Sequence, residues 1–165
     1  MASGQCRQRP VWRASTSPSR RREAAAPILR TMGRNDDMDD AYSLTTSREG
    51  RGLRAVVRGE RTLANTIAYW EALLEEIDAQ RPQWLFLCDR LVGHELSAED
   101  WYALVKKMTG RGLEGIRIAH VKPSGMDHLE YCEIFAREAG IDARAFSDAG
   151  VAERWLRYGT DEDVA

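Results

Sequence analysis

Asp89 closes the apolar run Trp84-Leu85-Phe86-Leu87-Cys88, which has the length and composition of a strand covered on both faces. A carboxylate at the carboxyl end of a central strand stands where open α/β sheets bind their ligands, so Asp89 is the leading candidate for chemistry or recognition. Arg90, His94, Ser97 and Trp101 follow it closely and supply a guanidinium, an imidazole, a hydroxyl and an indole. With Asp89 they are the candidate residues for binding a partner or a ligand. Two roles are open to Ser97. As a helix N-cap its oxygen would accept from a free backbone amide, and the S-x-x-D spacing to Asp100 favours this role. As a phospho-acceptor it would use the affinity of a helix N-terminus for phosphate, against crowding by Glu95, Glu99 and Asp100.

A catalytic site needs a constellation, and the other reactive residues stand alone. The phosphate-cradling patterns GxGxxG and GxxxxGK[ST] and the nucleophile pattern GxSxG are missing from the sequence. Cys6, Cys88 and Cys132 are odd in number and far apart, with no CxxC or paired-histidine spacing, so neither a disulfide framework nor a metal site is expected. Cys88 and Cys132 fall on apolar faces, where a thiol behaves as a small hydrophobe. His120 lies within a strand on the face of Ile116 and Ile118 and reads as a satisfied core residue, and His128 reads as exposed. Asp89 resembles in position the phospho-accepting aspartate of receiver domains. Those domains also need a cluster of acids to hold magnesium, and Gly59-Glu60-Arg61 offers one acid. The expectation is a non-enzymatic protein without catalytic residues, metal or cofactor.

The elements that position these residues are legible in the hydrophobic pattern. Tyr42, Leu44 and Thr46 alternate with Ser43 and Thr45, and beyond Gly50-Arg51-Gly52 the residues Leu53, Ala55 and Val57 alternate with Arg54 and Arg58, predicting a hairpin. Thr62 caps a helix whose stripe is Leu63, Ile67, Trp70, Leu74 and Ile77, ending near Gln80 before Pro82. The central strand then ends at Asp89. Ser97 opens a second helix with Trp101, Leu104, Val105 and Met108 inward, and Gly110 and Gly112 end it. Ile116, Ile118 and Val121 form a strand, and a third helix from Asp127 buries Leu129, Cys132, Phe135 and Ala136. Arg144-Ala145-Phe146 is a last strand, and a helix from Asp148 carries Val151, Ala152, Trp155 and Leu156. The order ββαβαβαβα predicts an α/β layered domain with parallel later strands joined by right-handed crossovers.

Of the 165 residues, 43% are hydrophobic and 30% charged, as in an ordinary soluble domain. No apolar run approaches the ~20 residues of a membrane-spanning helix, and the cysteine usage fits a reducing, cytoplasmic setting. The near-neutral total hides an asymmetry. Residues 1–34 carry eight arginines and one acid, whereas the remainder carries 16 basic and 25 acidic side chains. Residues 1–40 therefore read as a disordered basic tail, 41–160 as the folded domain and 161–165 as an acidic end. Three meanings stay open for the tail: an extension upstream of alternative starts at Met32 or Met38, an organelle transit segment, or a nucleic-acid or acidic-membrane contact through Arg20-Arg21-Arg22. Arginines without interleaved aromatics make a nucleic-acid partner the weakest of these.

Across about residues 42 to 158 the arrangement resembles the SpoIIAA-like, or STAS-like, family of anti-sigma-factor antagonists and their relatives. The resemblance is carried by Gly59-Glu60-Arg61-Thr62-Leu63, by Leu85-Phe86-Leu87-Cys88-Asp89, by Gly115-Ile116-Arg117-Ile118-Ala119-His120-Val121, and by Arg144-Ala145-Phe146-Ser147-Asp148 followed by Ala152 and Trp155-Leu156. It implies an α/β fold with a mixed four- to five-stranded sheet and packed helices, and regulation by binding a protein partner. Antagonists of this family carry Asp-Ser-Ser/Thr-Gly at the second helix, where this chain has Glu95-Leu96-Ser97-Ala98. That departure puts a phosphoswitch at Ser97 in doubt and fits the SpoIIAA-like branch better. The related lipid-binding (SEC14-like) fold supplies the alternative, a carrier of a small hydrophobic ligand lined by Trp70, Trp84, Trp101 and Trp155.

Overall fold

The computed structural model describes residues 28–30, 42–123 and 129–159. Its elements run β1 (Ile28–Arg30), β2 (Tyr42–Glu49), β3 (Gly52–Glu60), α1 (Leu63–Gln80), β4 (Trp84–Val92), α2 (Ala98–Met108), β5 (Arg117–Val121), α3 (Leu129–Glu138), β6 (Ala143–Phe146) and α4 (Ala149–Tyr158). From β2 onward this is the ββαβαβαβα order that the pattern predicts. The addition is β1, three residues inside the segment expected to be a disordered tail, which pair antiparallel with β2 from Ile28↔Thr46 to Arg30↔Leu44. The remainder of that segment and the acidic end 161–165 lie outside the described residues.

The strands line up in sequence order, β1 to β6, in one mixed sheet whose body is β2–β6. β2 and β3 form the hairpin, closed by Glu49↔Gly52, and β3, β4, β5 and β6 are successively parallel. Each parallel step advances in the same direction across the sheet. Right-handed crossovers then place α1, α2 and α3 on one face. The packing agrees: Leu53, Ala55, Val57, Leu85, Leu87 and Ile118 bury against the stripes of these three helices. The opposite face is covered by α4, whose Ala152, Trp155 and Leu156 pack on Phe86, Cys88, Ala119, Val121 and Phe146.

The helix starts are set by short polar side chains. The Thr62 hydroxyl accepts from Asn65 N at 3.0 Å, and Asp148 Oδ1 accepts from Val151 N at 2.8 Å. Each satisfies an amide with no intrahelical partner. At the hairpin end, Gly52 lies flat against the Trp84 indole, and a Cβ built there would fall 1.9 Å from the ring.

β4 is longer than the sequence suggested. Asp89 does not end it; the strand continues to Val92, paired in register with β3 from Val57↔Asp89 to Glu60↔Val92. Side chains alternate along a strand, so Leu85, Leu87, Asp89 and Leu91 share the face covered by α1 to α3. Asp89 is 4% exposed and Leu91 2%. A charged residue reads as a strand end only if it is left uncompensated, and Asp89 is not.

Candidate functional site

Five ionisable side chains converge where β3, β4 and β5 finish. Arg61 follows β3 directly, and its backbone N–H donates to the Val92 carbonyl at 2.7 Å, tying it to the end of β4. Its guanidinium turns inward. Nη2 donates to the Leu91 carbonyl at 2.7 Å, and Nη1 donates to the Gly93 carbonyl at 3.3 Å and to Glu95 Oε1 at 2.6 Å. The other oxygen of Glu95 accepts from Lys122 Nζ, a buried ammonium just past β5. Glu95 thus bridges two cations from two strand ends. Unpaired buried charges are costly, and here each charge has an opposite one beside it, although Arg61 Nε has no hydrogen-bond partner among the described residues.

Asp89 sits beneath this bridge. Its Oδ1 accepts from the Leu91 N–H at 3.0 Å and lies 4.0 Å from Arg61 Nη2, while its Oδ2 is 3.2 Å from His120 Nε2. Burial alone would raise the Asp89 pKa. The hydrogen bond and charge of His120, then the Leu91 amide and Arg61, outweigh it and hold the carboxyl below its ordinary value. The contact assigns the proton to His120 Nε2, because a carboxylate can only accept. His120 Nδ1 has no hydrogen-bond partner among the described residues, and neither do the indole nitrogens of Trp70 and Trp101. Both indoles meet the imidazole edge-on, with ring centroids 6.4 Å and 6.1 Å away. Burial, with smaller contributions from Asp89 and Cys132, also drives the Tyr69 hydroxyl well above its usual pKa, and burial pushes the Cys132 thiol up to about 12. Both stay protonated at neutral pH.

The five residues singled out by the sequence do not form one constellation. Asp89 and Trp101 are interior, Asp89 in the charge network and Trp101 against His120. Arg90, His94 and Ser97 are exposed. Ser97 caps α2 with both halves of a capping box: its Oγ accepts from Asp100 N at 3.1 Å and its own N–H donates to Asp100 Oδ2 at 3.3 Å. Arg61, Glu95 and Lys122 were missed, and His120, read as core, is core with a charged partner. A signal for two of these existed: period-two alternation from Ile118 puts His120 and Lys122 on one apolar face, an unusual place for an ammonium without a buried acid.

Behind His120 the described residues line a hollow of about 30 Å³, among them Trp70, Trp101 and Cys132, and wider clefts of about 210 Å³ lie beside Tyr102 and Phe135 and beside Ile77 and Ile116. All three fall below the roughly 300 Å³ of the smallest ordinary ligand pocket, the hollow lined by tryptophans by about tenfold. Among the described residues no group of three or more His, Cys, Asp or Glu could hold a metal ion, and no helix is long and apolar enough to cross a membrane. No protein-family model and no curated protein matches this chain.

The arrangement can hold a loop. Leu91, Gly93 and Glu95 are fixed by Arg61, and Glu95 again by Lys122, so segment 89–97 is clamped to the ends of β3 and β5 while Arg90, Val92, His94 and Ser97 are exposed.

Proposed function

We propose that this chain is a non-enzymatic, STAS-like regulatory module that controls a protein partner by binding it through segment 89–97 and the start of α2. The clamped segment carries the reading. A network in which Arg61 and Lys122 hold Leu91, Gly93 and Glu95 lowers the entropy that the segment would lose on binding, which is what a preformed recognition surface requires. The element order from β2 to α4 is what the STAS-like resemblance implies, and it supports the same reading.

The alternative, a carrier of a small hydrophobic ligand, needs a preformed apolar chamber. Its predicted tryptophans serve packing instead: Trp70, Trp101 and Trp155 are buried in the two cores, and Trp84 lies under Gly52. The hollow of about 30 Å³ that Trp70 and Trp101 line is far too small for a lipid.

The test is the double substitution Arg90→Glu and His94→Glu in the full-length protein produced in its own source. Both side chains are exposed, so the fold and its thermal unfolding should be unchanged. The expected result is loss of a protein that co-purifies with the wild type. Retention of that protein at equal yield would remove the surface from segment 89–97.

A further inference from the structure

We propose that the uncovered half of the α4-side sheet face binds an acidic, extended peptide segment of the partner through Arg58, Arg90 and Val92; this rests on the reading of the chain as a partner-binding module and names the chemistry of its partner. Alternation along β3 puts Arg54, Val56 and Arg58 on the face opposite Leu53, Ala55 and Val57, and alternation along β4 puts Arg90 and Val92 with Phe86 and Cys88. The register pairs Arg58 directly with Arg90. Two guanidinium groups therefore leave the sheet from neighbouring strands about 5 Å apart. Among the described residues α4 packs on β4, β5 and β6 and touches β3 at Arg54 and Val56, short of Arg58.

Arg54, on the same face of the same strand, shows what a structural arginine looks like here. It pairs with Glu49 and with Glu153 and stacks over the Phe86 ring at 4.1 Å. Arg58 and Arg90 are exposed and pair with no carboxylate among the described residues, although residues 35–165 hold 25 acidic side chains. Glu60, two positions along the same face, makes an ion pair with neither. Like charges directly opposite each other in a sheet are destabilising, so the pair is a cost to the isolated fold. An incoming carboxylate would offset it, and arginine forks suit carboxylates. Val92, 67% exposed on the same face, adds an apolar contact beside them. Side chains facing one sheet face recur every second residue, so the segment that fits is one in which acidic and apolar residues share a face.

The experiment pans a random 12-residue peptide display library against the full chain, with Arg58→Gln/Arg90→Gln as the comparison protein. The proposal expects enriched peptides rich in Asp and Glu with interspersed apolar residues. Their affinity should fall about tenfold or more in the double variant and weaken steeply with added salt. The double variant should melt at the wild-type temperature or slightly above it. Enriched peptides without acidic excess, no enrichment, or equal binding to both proteins would overturn the arginine pair as the site. So would a marked fall in melting temperature, which would make the pair structural. Displacement of every acidic peptide by millimolar inorganic phosphate, regardless of its apolar residues, would reduce the surface to a plain anion site and overturn the peptide. His94→Glu alone, which leaves Arg58 and Arg90 in place, separates the two proposals: loss of the co-purifying protein in that variant, together with no acidic enrichment on the wild type, would overturn the arginine pair and leave the partner-binding reading standing.

Discussion

Asp89 and His120 illustrate how a carboxylate keeps its charge where water is excluded. Desolvation works against the Asp89 anion, and the imidazole, the Leu91 amide and Arg61 together reverse the balance. A carboxyl whose folded pKa lies below its unfolded value contributes stability that is present above the unfolded value, about 3.9, and is lost as pH falls through the folded one. Resistance to urea should therefore weaken on acidification below about pH 4. Asp89→Asn should lower stability at pH 7 by about 3 kcal/mol, because it leaves His120 and Arg61 facing a neutral amide, and should flatten the acid limb of the stability–pH curve. A variant as stable as the wild type, with the same acid limb, would show that the buried contacts carry no weight. The sequence made Asp89 visible as a candidate but placed it at a strand end. Its compensation comes from Arg61 and His120, 28 positions before and 31 after it in the chain, and no local pattern records such partners.

At the scale of single elements, the local chemistry was more readable. Thr62, Ser97 and Asp148 were expected to open helices and do so, each with its side-chain oxygen on the amide three residues on. These features are local, and local features survive folding. Ser97→Ala should cost about 1 kcal/mol in thermal or chemical unfolding through loss of the capping box. If Ser97 acts only as a cap, Ser97→Asp, another good N-cap, should restore most of that loss. Gly52 is a tertiary matter that the hairpin pattern could not reveal: the residue must be small because Trp84 occupies the space of its side chain. Gly52→Ala should destabilise by about 1 to 3 kcal/mol, measured by denaturant titration, since either the indole or the hairpin must shift. The extent of β4 was not legible for a related reason. Its last residues, 90–92, are strand because β3 runs beside them to Glu60, and pairing across the sheet overrides what a charged dipeptide suggests in isolation.

The described residues form a sheet with three helices on one face and one on the other, and the five-residue polar network gathers at the carboxyl ends of β3, β4 and β5. The order of elements from β2 onward followed from alternating periodicities of two and 3.6 residues. The edge strand β1 did not, because three residues between proline, glycine and arginines carry no periodicity; only the exposed edge of β2 selects them. Segment 89–97 is the candidate that the sequence points to, whereas the clamp beneath it, from Arg61 and Lys122, is a product of the fold. If that segment is a partner surface, as proposed, the chain should be found with a protein and not with a small molecule inside it. Native mass spectrometry of the full-length chain purified from its own source, followed by denaturation, tests this most directly. The account predicts a complex with a protein partner that dissociates to the bare chain mass, with no small molecule released. A reproducible small apolar molecule coming off only on unfolding would contradict it and return the function to ligand carriage.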